Sequence, residues 1–264
     1  MPTANDIHKH LLSHATWVDR EKTVDSFRSG DPGRDVHTVA VGWMSTIYDL
    51  RQAVRLGCDL FITHEPTFWE HWAPESKYRH DLGGIEKTRL LEESGLVVLR
   101  CHDAWDAWPE IGIRDGWARG LGLTNQIGVS HDKWSAFFEV PRTTLRKFAR
   151  HVAAKVKPIG QDSVQVLGDP DMTVSKIAVG VGCYTPDIDA IRQGADCLIG
   201  TYDGNWYYWE TRERFVECGA GVISVEHGTT EYWGMKNCAD YVAKTWPGLK
   251  VHYLALYPRS WTVT

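Results

Sequence analysis

Two stretches of the sequence resemble each other, and together they decide the fold. The first is TVAVGWMSTIYDLRQAVRLGCDLFITH, residues 38–64, and the second is KIAVGVGCYTPDIDAIRQGADCLIGTY, residues 176–202. Each begins with an Ala-Val-Gly strand, continues through a turn and a short amphipathic helix, and ends in an apolar run after a glycine. Because AVRLGCDLFI aligns with AIRQGADCLI without a gap, duplication of a β-α-β unit explains the likeness better than chance does.

The ends of both repeated helices carry local signals. Thr46 and Asp49 have the spacing of a capping box. Thr185–Asp187 supplies a cap residue, a proline for the first helical position and an acid for the first turn. Gly57 and Gly194 suit the helix ends, since glycine tolerates the left-handed conformation found there. Each repeat is therefore predicted to join two parallel strands through a helix.

The predicted fold is α/β, with two related halves over residues 1–130 and 131–264 and a site between them. No low-complexity linker separates the halves, so the boundary between them is soft. Other elements follow from periodicity and turn residues. The predicted helices are 84–94, 143–156, 211–218 and 231–244, and the predicted strands are 95–101, 136–140, 163–167, 221–226 and 249–255.

Composition excludes several classes of protein. Of 264 residues, 43% are hydrophobic and 24% are charged, which is typical of a globular chain rather than a disordered one. The net charge of −5 argues against a strongly basic nucleic-acid-binding protein. No apolar run approaches a membrane span, and the N-terminus lacks the pattern of a secretory signal. We therefore expect a cytoplasmic protein with neither nucleic acid nor membrane as a partner, and buried reduced thiols at its six cysteines, which never form CxxC.

Three apolar runs end in histidine, and each is followed by a carboxylate. DLFITH ends at His64 with Glu65 next, GLVVLRCH ends at His102, and GVISVEH ends at His227. The carboxyl ends of parallel strands line the ligand crevice of an α/β sheet. A single histidine after a strand is usually a loop residue whose side chain has an ordinary hydrogen-bond partner. Three such histidines in this context favour a metal site.

The last two of these histidines have a carboxylate four residues further on, at Asp106 and Glu231. Imidazole and carboxylate together suit Zn, Mn, Fe, Co or Ni. Because carboxylates can bridge, two ions are expected. His71 lies near the cluster in sequence and is interpreted as an orienting or substrate-facing residue. Phosphate-loop motifs are lacking, and Gly180-x-Gly182 is interpreted as a turn.

These residues resemble the Nif3-like family, also labelled GTP cyclohydrolase 1 type 2. Residues 23–32, TVDSFRSGDP, are similar to the family's opening block with its aspartate and later GDP. ITHEPTF, residues 62–68, is similar to ITHHPLF, and HDAWD, residues 102–106, is similar to HTNLD. EHGTTE, residues 226–231, is similar to GHxxTE, so the resemblance runs from about residue 6 to 255.

The resemblance implies two α/β halves with a dinuclear metal site in the cleft between them, and assembly into a toroidal homohexamer. Residues 131–175 resemble the family's short form, a single unit without the domain that some members insert between the halves. By motif position, the implied ligands of two divalent ions per chain are His64, His102, Asp106, His227 and Glu231. The chain also departs from the family. Glu65 replaces a second histidine, and residues 199–206 lack a histidine that the family has. Glu65 could ligate, turn away or act as a general base.

Three functions stay open at this point. The leading hypothesis is a hydrolase in which metal-activated water attacks a C–N bond of a small heterocyclic or amide substrate, with Glu65 as the catalytic proton shuttle. Chemistry like that of a GTP cyclohydrolase would be one case. The second is a non-catalytic, metal-binding or regulatory toroidal protein. The third is a purely structural metal site.

Overall fold

The computed structural model describes residues 1–72, 76–130, 133–180, 182–183, 188–204, 209–256 and 261. Its helices are α1 (Ala4–His14), α2 (Ile47–Arg55), α3 (Gly84–Ser94), α4 (Asp103–Asp106), α5 (Ile113–Leu121), α6 (Leu145–Val156), α7 (Ile188–Arg192), α8 (Trp209–Glu217) and α9 (His227–Thr245). Its strands are β1 (Phe27–Ser29), β2 (Thr38–Met44), β3 (Leu60–Glu65), β4 (Val97–Arg100), β5 (Gln126–Val129), β6 (Ala136–Thr144), β7 (Gln165–Leu167), β8 (Thr173–Val179), β9 (Cys197–Thr201), β10 (Gly221–Val225) and β11 (Lys250–Leu254). Short 3₁₀ helices cover Lys77–His80 and Lys157–Ile159.

Two mixed sheets confirm the predicted α/β class. The first has the strand order β1-β4-β3-β2-β11, in which only β1 is antiparallel to its neighbour. The second has the order β5-β6-β8-β9-β10-β7, with a parallel centre and antiparallel flanks. In each repeat the two strands pair in parallel, as β2 with β3 and as β8 with β9. The repeats thus form the centres of the two sheets.

The chain divides into two compact units, and each holds one sheet. The first comprises Met1–Trp108 and Met235–Ala255, and the second comprises Pro109–Gly234 and Leu256–Thr264. This division differs from the predicted halves because the end of the chain returns to the first sheet, where β11 pairs with β2. Residues 109–130 group with the second unit because β5 pairs with β6 there.

The start of α2 has the predicted cap. The Thr46 side chain accepts a hydrogen bond from the backbone N–H of Asp49 at 3.2 Å, and Gly57 after the helix has a φ of +68°. The corresponding cap of α7 at Thr185–Asp187 lies outside the described residues. The central strands are buried along their whole length, as β3 in the first unit and β9 and β10 in the second. Strands covered on both faces favour continuous apolar runs, which is the pattern of both repeats.

Several predicted boundaries differ from the structure. α9 begins at His227, four residues before the predicted start, so His227 and Glu231 share its first turns. β6 continues to Thr144 with a register shift between Glu139 and Thr143. α6 then starts at Leu145, because the Thr144 side chain caps it by accepting the N–H of Lys147.

The cysteines follow the expectation of buried thiols only in part. Cys58, Cys101, Cys197 and Cys238 are buried, whereas Cys183 and Cys218 are exposed. Within the described ranges, no helix is both long enough and apolar enough to cross a lipid bilayer.

Because Gly120 has no side chain, the ring of Trp233 can pack closely against α5, which positions the start of α9 within the second unit. A Cβ atom added at Gly120 would lie 2.2 Å from Cδ2 of Trp233, two residues after Glu231. We expect Gly120→Ala to lower the free energy of unfolding by about 2 kcal/mol, since overpacking outweighs the gain in helix propensity. Chemical denaturation measures this change. Gly128→Ala is the control, because its added Cβ would meet Phe137 only at 3.9 Å, and an equal loss there would contradict the account.

Candidate metal centre

The first unit brings together the ligands predicted at the ends of β3 and β4. One ligand atom from each of His64, His102 and Asp106 lies within 4.8 Å of the others. The Nε2 atom of His64 lies 3.2 Å from Oδ1 of Asp106, and Nδ1 of His102 lies 3.1 Å from its Oδ2. The rings of His64 and His102 stack with centroids 4.4 Å apart. His64 is fully buried and Asp106 is 2% exposed, so this carboxylate sits among imidazoles with little water around it.

A buried aspartate from the start of the chain positions His102 and Asp106. The Asp25 carboxylate accepts the backbone N–H groups of His102, Asp103 and Ala104 at 2.6, 2.9 and 2.8 Å. These are the amides that a helix N-terminus leaves without an internal partner. Asp25 therefore holds the first turn of α4, and that turn carries Asp106 four residues after His102.

The Nδ1 partners of both histidines determine their tautomers. Nδ1 of His64 lies 3.1 Å from the carbonyl oxygen of Cys101, which can only accept, so this nitrogen carries the proton. Nδ1 of His102 donates to Oδ1 of Asp103 at 2.9 Å. Each ring is thereby left with a lone pair on Nε2, which is the arrangement that second-sphere acceptors impose on metal-bound histidine.

Neighbouring groups shift the pKa values of both His102 and Asp103. Burial lowers the pKa of His102, but the charges of Asp106 and Glu65 and the hydrogen bond to Asp103 together outweigh burial and hold the pKa above its usual value. Burial raises the pKa of Asp103, whereas hydrogen bonds from His102 and Thr23 bring it well below the usual range. The carboxylates around His102 therefore favour a positive charge here, either a second proton on the ring or a bound cation.

The second unit holds the remaining predicted ligands on α9. Nδ1 of His227 donates to Oδ2 of Asp203 at 2.7 Å, and Nε2 of His227 lies 3.0 Å from Oε1 of Glu231. Burial raises the pKa of Asp203, but the hydrogen bond and the charge of His227, with further hydrogen bonds, together leave it below its usual value. Glu231 is 1% exposed. The backbone of Gly182 lies against this pair with a φ of +48°, and an added Cβ would lie 2.3 Å from Oε1 of Glu231.

The donor atoms fit a divalent transition metal. With the proton of His227 on Nδ1, its Nε2 lone pair faces a carboxylate oxygen at 3.0 Å, and two acceptors at that distance attract each other only through a cation. His64 and Asp106 repeat this arrangement, and Oδ1 of Asp106 is a buried atom without a hydrogen bond among the described residues. Imidazole nitrogen with carboxylate oxygen suits Zn, Mn, Fe, Co or Ni.

Glu65 lies beside this group in the first unit. Its carboxylate, one nitrogen of His71 and one of His102 fall within 4.8 Å of one another. Oε2 of Glu65 lies 3.5 Å from Nη2 of Arg100, a fully buried guanidinium. Arg100 also donates to the carbonyl oxygens of His64 at 2.9 Å and His71 at 2.7 Å, so one side chain fixes the segment that follows β3.

The pKa of His71 is shifted in the opposite direction to that of His102. Burial, together with the nearby charges of His102 and Arg100, lowers the pKa of His71 to about 4. The ring is therefore neutral near neutral pH. Its plane is nearly perpendicular to that of His102, with centroids 4.7 Å apart.

Sequence reasoning missed the residues that orient the ligands. Asp103, Asp203 and Arg100 were not assigned roles, although Asp103 directly follows His102 and Asp203 follows β9, the parallel neighbour of β10. Position at a strand's carboxyl end was the signal that could have found Asp203. The block in which a family histidine is missing ends at Asn205 and Trp206, which lie outside the described residues.

The tryptophans near the ligands have different environments. Trp105 and Trp108 are buried, and both rings pack against Tyr241 with centroids 5.6 and 5.0 Å away. These two residues contribute packing. Trp69 and Trp72 are 44% and 77% exposed. Their exposed aromatic rings are available to contact another molecule.

The fold and the site define a class: a mixed α/β protein with two sheets and a candidate transition-metal group at the ends of buried strands. The family model of Duf34/NIF3 (NGG1p interacting factor 3) matches residues 22–258. The chain therefore belongs to the Duf34/NIF3 family, as the sequence motifs predicted.

Individual relatives agree with this assignment at low identity. A Chlamydia pneumoniae protein named GTP cyclohydrolase 1 type 2 homolog is 23% identical over 258 residues, covering 90% of this chain and 93% of that protein. A Staphylococcus aureus hypothetical protein has a similar fold, with a TM-score of 0.80, 17% identity and 99% of each chain covered. A Bacillus cereus protein related to NIF3 also reaches a TM-score of 0.80, at 12% identity with all of both chains covered.

Removing the Arg100 guanidinium should destabilise the segment after β3. We expect Arg100→Met to lower the free energy of unfolding by about 3 kcal/mol, because the Glu65 carboxylate and two carbonyls lose a buried donor. Denaturant unfolding followed by circular dichroism measures this loss. Arg89→Met is the control, since Arg89 is 72% exposed and pairs with the exposed Glu93. Equal stability of the two variants would show that Arg100 does not fix the segment.

Proposed function

We propose that this chain is a metal-dependent hydrolase in which activated water attacks a C–N bond of a small heterocyclic or amide substrate. The observation that carries the proposal is the pairing of histidine Nε2 with a buried carboxylate in each unit, as His64 with Asp106 and as His227 with Glu231. Family membership supports it, since a relative carries the name GTP cyclohydrolase 1 type 2 homolog. GTP is therefore the first substrate to test.

The five residues proposed as ligands of two divalent ions per chain are His64, His102, Asp106, His227 and Glu231. Bound divalent metal lowers the pKa of water towards neutrality and polarises the group under attack. The protein's own contribution is orientation. Asp103 and Asp203 hold the rings of His102 and His227 by their Nδ1 atoms.

Glu65 is proposed as the group that accepts and returns the proton of the attacking water. Its carboxylate lies next to His71 and His102, and Arg100 limits its rotation. It is 8% exposed, so its contact with bulk water is small. A carboxylate in this position can take a proton from water and pass it to the leaving nitrogen.

Elemental analysis of protein purified without chelating resin tests the metal assignment. We expect about two transition-metal ions per chain and a sharp loss in His227→Ala, because its Nε2 faces Glu231. His80→Ala serves as the control, since His80 is exposed and lies outside the groups of potential ligands in the described structure. Failure of the wild type to take up Mn, Fe, Co, Ni or Zn would refute the proposal and favour a non-catalytic protein.

Glu65→Gln separates a proton shuttle from a ligand. The amide keeps the size of the side chain but cannot accept a proton, so we expect unchanged metal content and a fall in turnover of about 100-fold or more. Assays with GTP and a panel of cyclic and linear amides measure turnover. Loss of metal in this variant would instead identify Glu65 as a ligand, and wild-type turnover would exclude it as the shuttle.

The homohexamer, the cytoplasmic location and the cleft between the halves stay predictions from the sequence.

A further inference from the structure

His71 has the opposite hydrogen-bonding pattern to the proposed ligand histidines. Nη2 of Arg100 donates to Nδ1 of His71 at 3.0 Å, and Nη1 donates to the backbone oxygen of His71 at 2.7 Å. A guanidinium has donors only. Nδ1 of His71 is therefore the acceptor, and the proton of the neutral ring is on Nε2.

The contrast with its neighbours separates two kinds of imidazole in one cluster. His64 and His102 direct Nδ1–H at acceptors, a carbonyl and a carboxylate, and keep a lone pair on Nε2. His71 faces a donor at Nδ1 and keeps an N–H on Nε2. A nitrogen that carries a proton cannot bind a metal ion. His71 is close enough to the other residues to be counted as a potential ligand, but the proton on its Nε2 does not suit ligation through that atom.

Within the described residues, the Nε2–H of His71 is not used in the contacts that hold the ring. His71 is partly exposed, and within the described residues its Nε2 makes no hydrogen bond. The ring meets His102 edge to face, and one of its nitrogens lies within 4.8 Å of Glu65 and His102. The ring of His71 thus lies beside both the proposed shuttle and a proposed ligand.

We propose that His71 is a catalytic residue whose Nε2–H donates a hydrogen bond to the substrate atom that gains negative charge as water adds to the carbon. This inference rests on the proposed hydrolase function. The proton stays on His71 throughout, and the proton of the water goes to Glu65. The substrate atom that fits is a carbonyl oxygen or a ring nitrogen next to the scissile C–N bond.

The benefit of such a donor is electrostatic. Arg100 fixes the ring before the substrate binds, so little reorganisation accompanies the developing charge. A neutral imidazole is suited to this role, because its N–H can donate a hydrogen bond to a developing negative charge while the proton stays on the ring. Removal of one such preorganised donor lowers kcat by about 100-fold or more in comparable sites.

The tautomer can be measured without any activity. Nitrogen-15 NMR of histidine-labelled protein, with His71→Gln to assign the signals, should show a protonated Nε2 and an unprotonated Nδ1 at His71 in both metal-free and Zn-loaded protein. A protonated Nδ1, or a shift of the His71 nitrogens typical of metal ligation, would overturn the inference.

Cobalt loading and kinetics test the role. We expect the Co²⁺ content and visible absorption spectrum of His71→Gln and His71→Ala to match those of wild type, whereas His102→Gln changes both. On the substrate that wild type hydrolyses, kcat should fall about 100-fold in His71→Ala and recover in part in His71→Gln, whose amide still donates. His80→Gln is the control for both measurements, because His80 is exposed on the same stretch of chain.

The outcomes separate the two proposals. Loss of Co²⁺ in His71→Ala, or wild-type kcat in that variant, refutes the role of His71 while leaving a metal-dependent hydrolase intact. Absence of turnover by metal-loaded wild type refutes the hydrolase, and the catalytic role of His71 falls with it.

Discussion

In each unit, the group of proposed metal ligands depends on where the protein directs the Nδ1 atoms of its histidines. Cys101 accepts from His64 through its carbonyl, and the carboxylates of Asp103 and Asp203 accept from His102 and His227. Each acceptor fixes both a tautomer and a ring orientation. The remaining lone pairs of His64 and His227 then face carboxylates at 3.2 and 3.0 Å. A lone pair on nitrogen and a carboxylate oxygen at these distances repel each other unless a metal ion or a proton lies between them.

The fold maintains this arrangement with buried polar side chains rather than with apolar packing alone. Asp25 binds three consecutive amides at the start of α4 and thereby sets the spacing between His102 and Asp106. Arg100 donates to the residues that follow β3 and determines the proton position on His71. Buried polar groups of this kind are costly when left unsatisfied, so they specify one local structure. The same constraint gives the histidines proposed as ligands a different tautomer from His71, although their rings lie within a few ångströms.

Much of the fold could be predicted from the sequence because it rests on local patterns. The repeat at 38–64 and 176–202 predicted two parallel strand pairs, and the histidines at the ends of β3 and β4 predicted neighbours in space. The Thr46 cap and the glycine that follows α2 were also visible in the sequence. These features need only residues close together along the chain.

Long-range partnerships could not be predicted in the same way. β11 returns to pair with β2 across about two hundred residues, and no local pattern encodes that choice. No local pattern marks Arg100, which the structure shows to be a fully buried donor. Asp203 lies 24 residues before His227, and their hydrogen bond depends on the parallel pairing of β9 and β10. Side-chain tautomers follow from such contacts and are invisible in a sequence.

The most direct test of the central claim is anomalous X-ray diffraction at the metal absorption edge on crystals of metal-loaded protein. The account predicts anomalous peaks at about 2.0–2.2 Å from Nε2 of His64, His102 and His227, with their Nδ1 atoms still bonded to Cys101, Asp103 and Asp203. It also predicts no metal at coordination distance from His71. Peaks bonded to Nδ1 atoms, or no peak near these histidines in protein that contains metal, would contradict it.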